Sequence, residues 1–196
     1  MRHLIAAVII LLGSTAMAAT TAPVTKTAIF AGGCFWCMQP SYDTTKGVSA
    51  TRVGYTGGPA KTATYEQVSG GKSGHVEAIE VTYDPATVAY EALVETFFEN
   101  IDPTDAGGQF ADRGSQYHTA IFYADATQKA AAEKAKVALA AKFAPAPIAV
   151  AILPAQPFYE AEADHQKYYQ KNKAHYSAYK TGSGRAGYIE KTWGKK

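Results

Sequence analysis

The feature that most limits how this chain can fold is a glycine turn between an apolar segment and a pair of cysteines. Residues 28–31 are apolar, Gly32 and Gly33 follow, and Cys34 and Cys37 come directly after them. This order predicts a strand, a tight turn and a helix that begins at Cys34. The free N–H groups and partial positive charge at a helix start favour a thiolate, so we expect a lowered pKa at Cys34. A Cys34–Cys37 disulfide that only staples the fold is the alternative, but so short a loop gives little entropic stabilisation.

The rest of the sequence alternates strand-like and helix-like segments. Strands are predicted over residues 27–31, 48–55, 75–83, 117–123 and 148–153, helices over 34–46, 90–100, 127–143 and 160–176, and irregular segments over 61–74, 101–114 and 181–196. Two consecutive strands join without a helix. The order therefore favours an α+β two-layer sandwich with a mixed or antiparallel sheet, a ferredoxin-like split βαββαβ core and a C-terminal coil. A doubly wound parallel sheet is the alternative.

The first 18 residues have the three-part pattern of a secretory signal peptide. A short basic start precedes an apolar run over residues 4–12, which is too short to span a bilayer, and Ala16-Met17-Ala18 provides a small-residue cleavage site. We expect cleavage after Ala18 and a periplasmic or secreted protein with no membrane segment in its mature form. Residues 19–196 would then form one domain with its core over about 27–176. An uncleaved, membrane-anchoring start is the alternative.

The charge and cysteine content limit the classes of partner. Without Arg2 the chain has 18 basic and 17 acidic residues, and this balance argues against nucleic-acid binding. Exported proteins meet an oxidising environment, where two cysteines are too few for a disulfide scaffold. A working thiol pair there needs an external source of electrons. We expect a monomer.

Further motifs accompany the cysteine pair along the chain. They are Gly54-Tyr55-Thr56-Gly57-Gly58, Thr64-Tyr65-Glu66-Gln67-Val68, Gly74-His75-Val76-Glu77-Ala78, Asp112-Arg113-Gly114-Ser115-Gln116-Tyr117 and Ala161-Glu162-x-x-His165-Gln166. Together with Gly33-Cys34-Phe35-Trp36 they make residues 29–173 closely resemble the peptide methionine sulfoxide reductase A family. The resemblance implies reduction of the S epimer of methionine sulfoxide, free or in proteins, to methionine, which reverses methionine oxidation.

The resemblance also implies roles for individual residues. Cys34 matches the nucleophile that attacks the sulfoxide sulfur. Glu77 matches the acid that protonates the oxygen, a task that needs a buried carboxyl still protonated near neutral pH. The implied substrate-binding positions are a methyl-group pocket at Phe35 and Trp36, two phenolic donors to the sulfoxide oxygen at Tyr65 and Tyr117, and a carboxylate near the substrate backbone at Asp112.

The sequence departs from the family in its resolving cysteine. Many members carry that cysteine in a C-terminal tail, whereas residues 171–196 contain none. Cys37 is the only other thiol, and residues three apart on a helix face the same side. We therefore expect a sulfenic acid on Cys34 to condense with Cys37, and a thioredoxin-like protein or a reagent such as dithiothreitol to reduce the disulfide. Direct attack of an external thiol on the sulfenic acid is the alternative, and no resident cofactor is expected.

Two other interpretations of the cysteine pair stay open. Cys34-x-x-Cys37 also suits a general thiol-disulfide oxidoreductase or a module that holds a soft metal such as Cu(I). Neither needs an acid and two phenols beside the thiol, so Glu77, Tyr65 and Tyr117 distinguish the reductase from both. The histidines match no zinc-binding spacing, so no metal site is expected.

Overall fold

The computed structural model describes residues 24–194, so the predicted signal peptide and its cleavage site lie outside the described residues. The strands in this range are β1 (Lys26–Gly32), β2 (Val48–Thr56), β3 (Val76–Tyr83), β4 (Gly108–Gln109), β5 (Asp112–Arg113), β6 (Thr119–Tyr123), β7 (Ala151–Pro154) and β8 (Phe158–Glu160). The α-helices are α1 (Phe35–Asp43), α2 (Tyr65–Ser69), α3 (Tyr90–Phe98), α4 (Ala126–Phe143), α5 (Tyr168–Lys171), α6 (Lys173–Gly182) and α7 (Arg185–Trp193). None of these helices is long and apolar enough to cross a membrane.

The main sheet has six strands in the order β7-β6-β1-β3-β2-β8. All its pairs are antiparallel except β6 with β7, which is parallel. Its central four strands, with α1 and α3 as crossovers, form a split βαββαβ unit in the order β6-β1-β3-β2. The predicted α+β fold with a mixed sheet and ferredoxin-like core is confirmed, and the doubly wound parallel alternative is wrong.

The largest part of the core lies between this sheet and the helices α1, α3 and α4. Phe30 of β1 is fully buried, and its ring stacks against Tyr42 of α1 at 5.3 Å and Phe97 of α3 at 5.5 Å. Aromatic contacts of this kind add to the large area that each ring buries. They fix α1 on the sheet and with it the turn that carries the cysteines.

The prediction of a C-terminal coil over residues 181–196 is wrong. The chain forms α7 there, after a turn in which Gly184 has φ of 87°, a value that favours glycine. Helix α7 packs against the end of α4, where the Lys142 ammonium lies 3.4 Å from the Trp193 ring centroid and Phe143 lies beside the same ring. Tertiary contacts therefore override a local composition rich in glycine and lysine.

Other boundaries also differ from the sequence prediction. The segment 160–176 is not one helix, because the edge strand β8 and a turn region precede α5 and α6. Strand β8 pairs with β2 where Gly54 allows a close approach, since a Cβ there would lie 2.2 Å from the Tyr159 carbonyl oxygen. The predicted loop 101–114 contains the small hairpin β4–β5, which brings Asp112 to the site.

Candidate active site

The turn before α1 places Cys34 at the start of that helix. Gly33 has φ of 76°, and a Cβ there would lie 2.5 Å from the Gln109 Cβ atom. A Cβ on Gly32 would lie 2.4 Å from the Met38 sulfur. The backbone at Gly33 therefore requires glycine, whereas a side chain at Gly32 would have to displace the buried Met38 side chain.

A small cavity of about 110 Å³ opens beside Cys34. It is lined by Cys34, Phe35, Trp36, Tyr65, Glu77, Asp112, Tyr117 and Tyr179. Every predicted catalytic or substrate-binding residue except Cys37 therefore lines this cavity. These residues come from α1, β3, β5 and the segments that flank them. A larger cavity of about 700 Å³ between α1, α3 and α7 contains none of the predicted residues.

Cys34 and Cys37 are both free thiols and both buried. Cys37 does not line the cavity, but its thiol lies within hydrogen-bond reach of the Cys34 thiol. Burial, followed by the hydrogen bond and charge of Cys37, raises the pKa of the Cys34 thiol well above its ordinary value. The expectation of a lowered pKa at Cys34 is therefore wrong, because desolvation of the thiolate outweighs the favourable helix start.

Glu77 reaches the site from β3, where it is paired with Tyr55 of β2. Its carboxyl is 2 % exposed and accepts a 3.0 Å hydrogen bond from the Phe35 backbone N–H. Burial raises its pKa to about 8, although the Phe35 hydrogen bond acts in the opposite direction. At pH 7 the carboxyl is therefore mainly protonated, as the general-acid role requires.

The two predicted phenols keep their protons. Burial and then the nearby charge of Glu77 raise the pKa of both Tyr65 and Tyr117. Tyr65 is fixed at the start of α2, where its backbone N–H donates a 2.8 Å hydrogen bond to Glu162. The cavity thus presents a thiol, a carboxylic acid and two neutral O–H donors, a combination suited to an acceptor oxygen that gains negative charge.

Comparison with known proteins agrees with this arrangement. The sequence model of the peptide methionine sulfoxide reductase family matches residues 26–196. The chain is 53% identical over 170 residues to the peptide methionine sulfoxide reductase MsrA of Bacillus subtilis, covering 86% of this chain and 96% of that protein. The chain belongs to this family.

Solved structures of family members share the fold. Mxr1 from Saccharomyces cerevisiae in its reduced form matches with a TM-score of 0.71 and 30% identity over 76% of this chain and 86% of that chain. Methionine sulfoxide reductase A of Corynebacterium diphtheriae matches with a TM-score of 0.69 and 35% identity over 78% of this chain and 77% of that chain.

In this family member, the segment after β8 supports the aromatic wall of the cavity. The Trp36 indole N–H donates a 3.1 Å hydrogen bond to His165, and the indole stacks on Tyr168 with a centroid distance of 3.8 Å. His165 also lies 4.3 Å from the Tyr65 ring centroid. Gln166 bonds to both the N–H and the carbonyl of Val53 in β2. His165 and Gln166 therefore support the site.

Tyr179 of α6 is the cavity residue that the sequence analysis missed. Its hydroxyl donates a hydrogen bond to Asp112 and lies within hydrogen-bond reach of the Cys34 thiol, whose pKa it lowers. Burial raises the pKa of Tyr179 itself, so it too is a neutral donor. Its segment is rich in tyrosine and lacks a distinctive motif, and no pattern separated Tyr179 from its neighbours.

The described part of the chain, residues 24–194, contains no group of three or more His, Cys, Asp or Glu side chains arranged to hold a metal ion.

Proposed function

We propose that this protein reduces the S epimer of methionine sulfoxide, free or within proteins, to methionine. The observation that carries the proposal is the cavity itself, in which the Cys34 thiol, the protonated Glu77 and two neutral phenols share one space of side-chain size. The family membership and the level of identity to named reductases support the same reaction.

In the first step the Cys34 sulfur attacks the sulfoxide sulfur while Glu77 gives its proton to the sulfoxide oxygen. Tyr65 and Tyr117 donate hydrogen bonds to that oxygen as it becomes more basic. The protonated oxygen then moves from the substrate sulfur to Cys34 while the sulfur–sulfur bond formed in the attack breaks, so methionine is released and Cys34 becomes a sulfenic acid. The sulfoxide gains two electrons, Cys34 loses two, and the Cys34 thiol proton replaces the one that Glu77 gave up.

Cys37 then resolves the sulfenic acid. Its sulfur attacks Cys34, an S–S bond forms, the S–O bond breaks, and the hydroxide leaves as water with the proton that the Cys37 thiol gives up. The two thiols lie within hydrogen-bond reach of each other, which supports this direct reaction. A dithiol of the thioredoxin type, or dithiothreitol in vitro, reduces the resulting disulfide and returns both cysteines to thiols.

The aromatic side of the cavity selects the substrate. Phe35 is almost fully buried and Trp36 is held by His165 and Tyr168, so together they form a rigid apolar surface for the S-methyl group. Asp112 and Tyr179, joined by a hydrogen bond, complete the cavity lining. A methyl group and an oxygen on a chiral sulfur cannot exchange places between the apolar surface and the donors Glu77, Tyr65 and Tyr117, which accounts for selection of one epimer.

The test is a single-turnover assay with no added reductant. Reduced protein is mixed with the S or the R epimer of a methionine sulfoxide peptide, and methionine is counted per protein molecule. We expect about one methionine from the S epimer and none from the R epimer, with a Cys34→Ser variant as the inactive control. Absence of methionine from the S epimer would overturn the proposal.

We further propose that the protein is exported and repairs oxidised proteins outside the cytoplasm. The signal-peptide pattern of residues 1–18 supports this location. Fractionation followed by mass measurement tests it, and we expect an extracytoplasmic protein that begins at Ala19. A full-length protein confined to the cytoplasm would overturn this part and leave the reaction unaffected.

A further inference from the structure

Arg185, the first residue of α7, is a buried cation with unusual partners. Its side chain is 1 % exposed, and its guanidinium donates to two backbone carbonyls, that of Asn100 at 2.6 Å and that of Gly32 at 3.1 Å. None of the ion pairs within residues 24–194 includes it. Burial of a charge without a counter-ion is costly, so its position here needs an explanation.

The guanidinium is held in a specific cradle. Its central carbon lies 4.7 Å from the ring centroid of Phe110, a residue with a φ of 58° that is rare outside glycine. A cation over an aromatic face is favourable, and more so when both are removed from water. The cradle fixes the guanidinium against the turn before α1, where a Cβ on Gly33 would lie 2.9 Å from its Nη2 atom.

This position is next to the cysteine pair but outside the substrate cavity. The Nη1 atom lies 3.9 Å from the sulfur of Met38, the residue that follows Cys37 in α1. Arg185 does not line the cavity, whereas Cys34 does. The cation therefore lies beside the turn and the helix segment that carry the cysteine pair, and it does not line the cavity that receives the sulfoxide.

The charges around Cys37 come from several elements. The hydrogen bond from Cys34 is the largest cause that lowers the pKa of Cys37, and the charges of Arg185 and of Lys180 in α6 act in the same direction. Burial and the carboxylate of Asp112 in β5 oppose them. The other titratable groups near the pair are Glu77 of β3 and four phenols that stay neutral because burial raises their pKa values, those of Tyr65, Tyr117, Tyr176 and Tyr179.

We propose that Arg185 is a positioning residue whose buried charge stabilises Cys37 as the leaving group, and that external thiols therefore open the Cys34–Cys37 disulfide by attack at Cys34. This inference rests on the recycling half of the proposed function. The C-terminal helices contain no cysteine that could resolve the sulfenic acid. Their contribution is instead the Arg185 cation, which lies close to α1, the helix that carries Cys37.

The Cys34–Cys37 disulfide is reduced in two thiol–disulfide exchange steps. A thiolate of the external dithiol attacks Cys34 Sγ, the bond to Cys37 breaks, and Cys37 leaves with the electron pair. The second thiol of the dithiol, as its thiolate, attacks the donor's own sulfur and releases Cys34, which takes up a proton. The dithiol is oxidised by two electrons and the protein disulfide is reduced by two. A thiol of lower pKa leaves faster, and access decides which sulfur is attacked, so both factors select Cys34 as the target.

The first experiment titrates Cys37 alone, in a Cys34→Ser background, by thiolate absorbance near 240 nm. We compare Arg185→Gln, which keeps amide donors for the two carbonyls, with Arg185→Lys, which keeps the charge. We expect Arg185→Gln to raise the apparent pKa of Cys37 by about one unit or more and Arg185→Lys to restore most of the shift. The matched control is Arg52→Gln, an exposed arginine paired with Glu80 and Glu160, which should leave the titration unchanged. An unchanged titration in a folded Arg185→Gln protein would overturn the role of Arg185.

The second experiment uses the wild-type sequence and does not depend on whether the Arg185 variants fold. Protein oxidised with diamide is exposed briefly to 2-mercaptoethanol, quenched with acid and labelled with a maleimide. Chymotryptic cleavage after Phe35 or Trp36 separates the two cysteines for mass spectrometry. We expect the mercaptoethanol adduct on Cys34 and the maleimide on Cys37. An adduct mainly on Cys37, or no adduct, would overturn the proposed direction of attack. Neither experiment contains a sulfoxide, so their failure is distinguishable from failure of the proposed reaction.

Discussion

The backbone N–H of Phe35 donates a 3.0 Å hydrogen bond to the Oε2 atom of Glu77. Phe35 is the first residue of α1 and follows Cys34 directly, so this bond fixes the acid relative to the nucleophile. It also satisfies one of the N–H groups that a helix start leaves unpaired. One contact between β3 and α1 thus serves both the stability of the helix and the geometry of the reaction.

Replacement of Glu77 by Gln should remove the proton donor and keep the acceptor for Phe35. We expect the single-turnover rate for the S epimer to fall by about 10²-fold or more, the usual contribution of general acid catalysis. The wild-type rate should also decline as the pH rises through about 8, because the carboxyl with its raised pKa then loses its proton. A Glu77→Gln protein with an unchanged rate would remove Glu77 from the mechanism.

The same carboxyl should make stability depend on pH. The pKa of Glu77 is about 8 in the folded protein, against an ordinary value of 4.5. Its favourable contribution is therefore complete below pH 4.5 and is lost as the pH rises to about 8, at roughly 1.4 kcal/mol per pH unit. We expect the free energy of unfolding of Glu77→Gln, relative to wild type, to rise between pH 5 and pH 8 and then level off. Denaturant unfolding at each pH measures the difference, and a constant difference would contradict the raised pKa.

Replacement of Cys37 by Ser should separate the chemical step from recycling. We expect one methionine per Cys37→Ser molecule to form in a single turnover, since Cys34 and Glu77 are intact, but multiple turnover with a thioredoxin-type donor to be lost. A sulfenic-acid probe such as dimedone should label Cys34 in this variant after exposure to the sulfoxide. Full turnover with that donor would show that Cys37 does not resolve the intermediate.

Replacement of Tyr179 by Phe should raise the pKa of Cys34 further, because the hydroxyl that lowers it is removed. We expect slower alkylation of Cys34 near pH 9 and a loss of about tenfold in single-turnover rate, typical of one hydrogen bond to a charged group. The matched control is Tyr176→Phe on the same helix, which removes a buried hydroxyl that has no hydrogen-bond partner. Equal effects of the two variants would argue against a specific role for Tyr179.

Replacement of Tyr168 by Ala should loosen the cavity wall, because the Trp36 indole would lose its stacking partner at 3.8 Å. We expect KM for the sulfoxide to rise several-fold, which corresponds to the interaction free energy of about one aromatic pair, and we expect a smaller change in kcat. Tyr168→Phe keeps the ring and should behave like wild type. A normal KM for Tyr168→Ala would show that Trp36 is held sufficiently by His165.

The sequence predicted those parts of the site that local patterns encode. Gly33-Cys34-Phe35-Trp36 and the Glu77 block occur at a strand-to-helix turn and on an alternating strand, where a motif determines both residue type and location. The pKa of Cys34 was not predictable in this way, because it depends on how much water the later segments exclude. The roles of Tyr179 and Arg185 could not be predicted for the same reason, because each acts through contacts with residues more than sixty positions away.

The bond from Arg185 to the Gly32 carbonyl joins residues 153 positions apart. During synthesis the cysteines therefore leave the ribosome long before the helix that completes their surroundings. Domains form as units once their segments are available, so the thiol pair acquires its final electrostatic environment only when α7 docks. A nascent or truncated chain would carry the cysteine pair without this cation, which couples efficient recycling of the disulfide to completion of the fold.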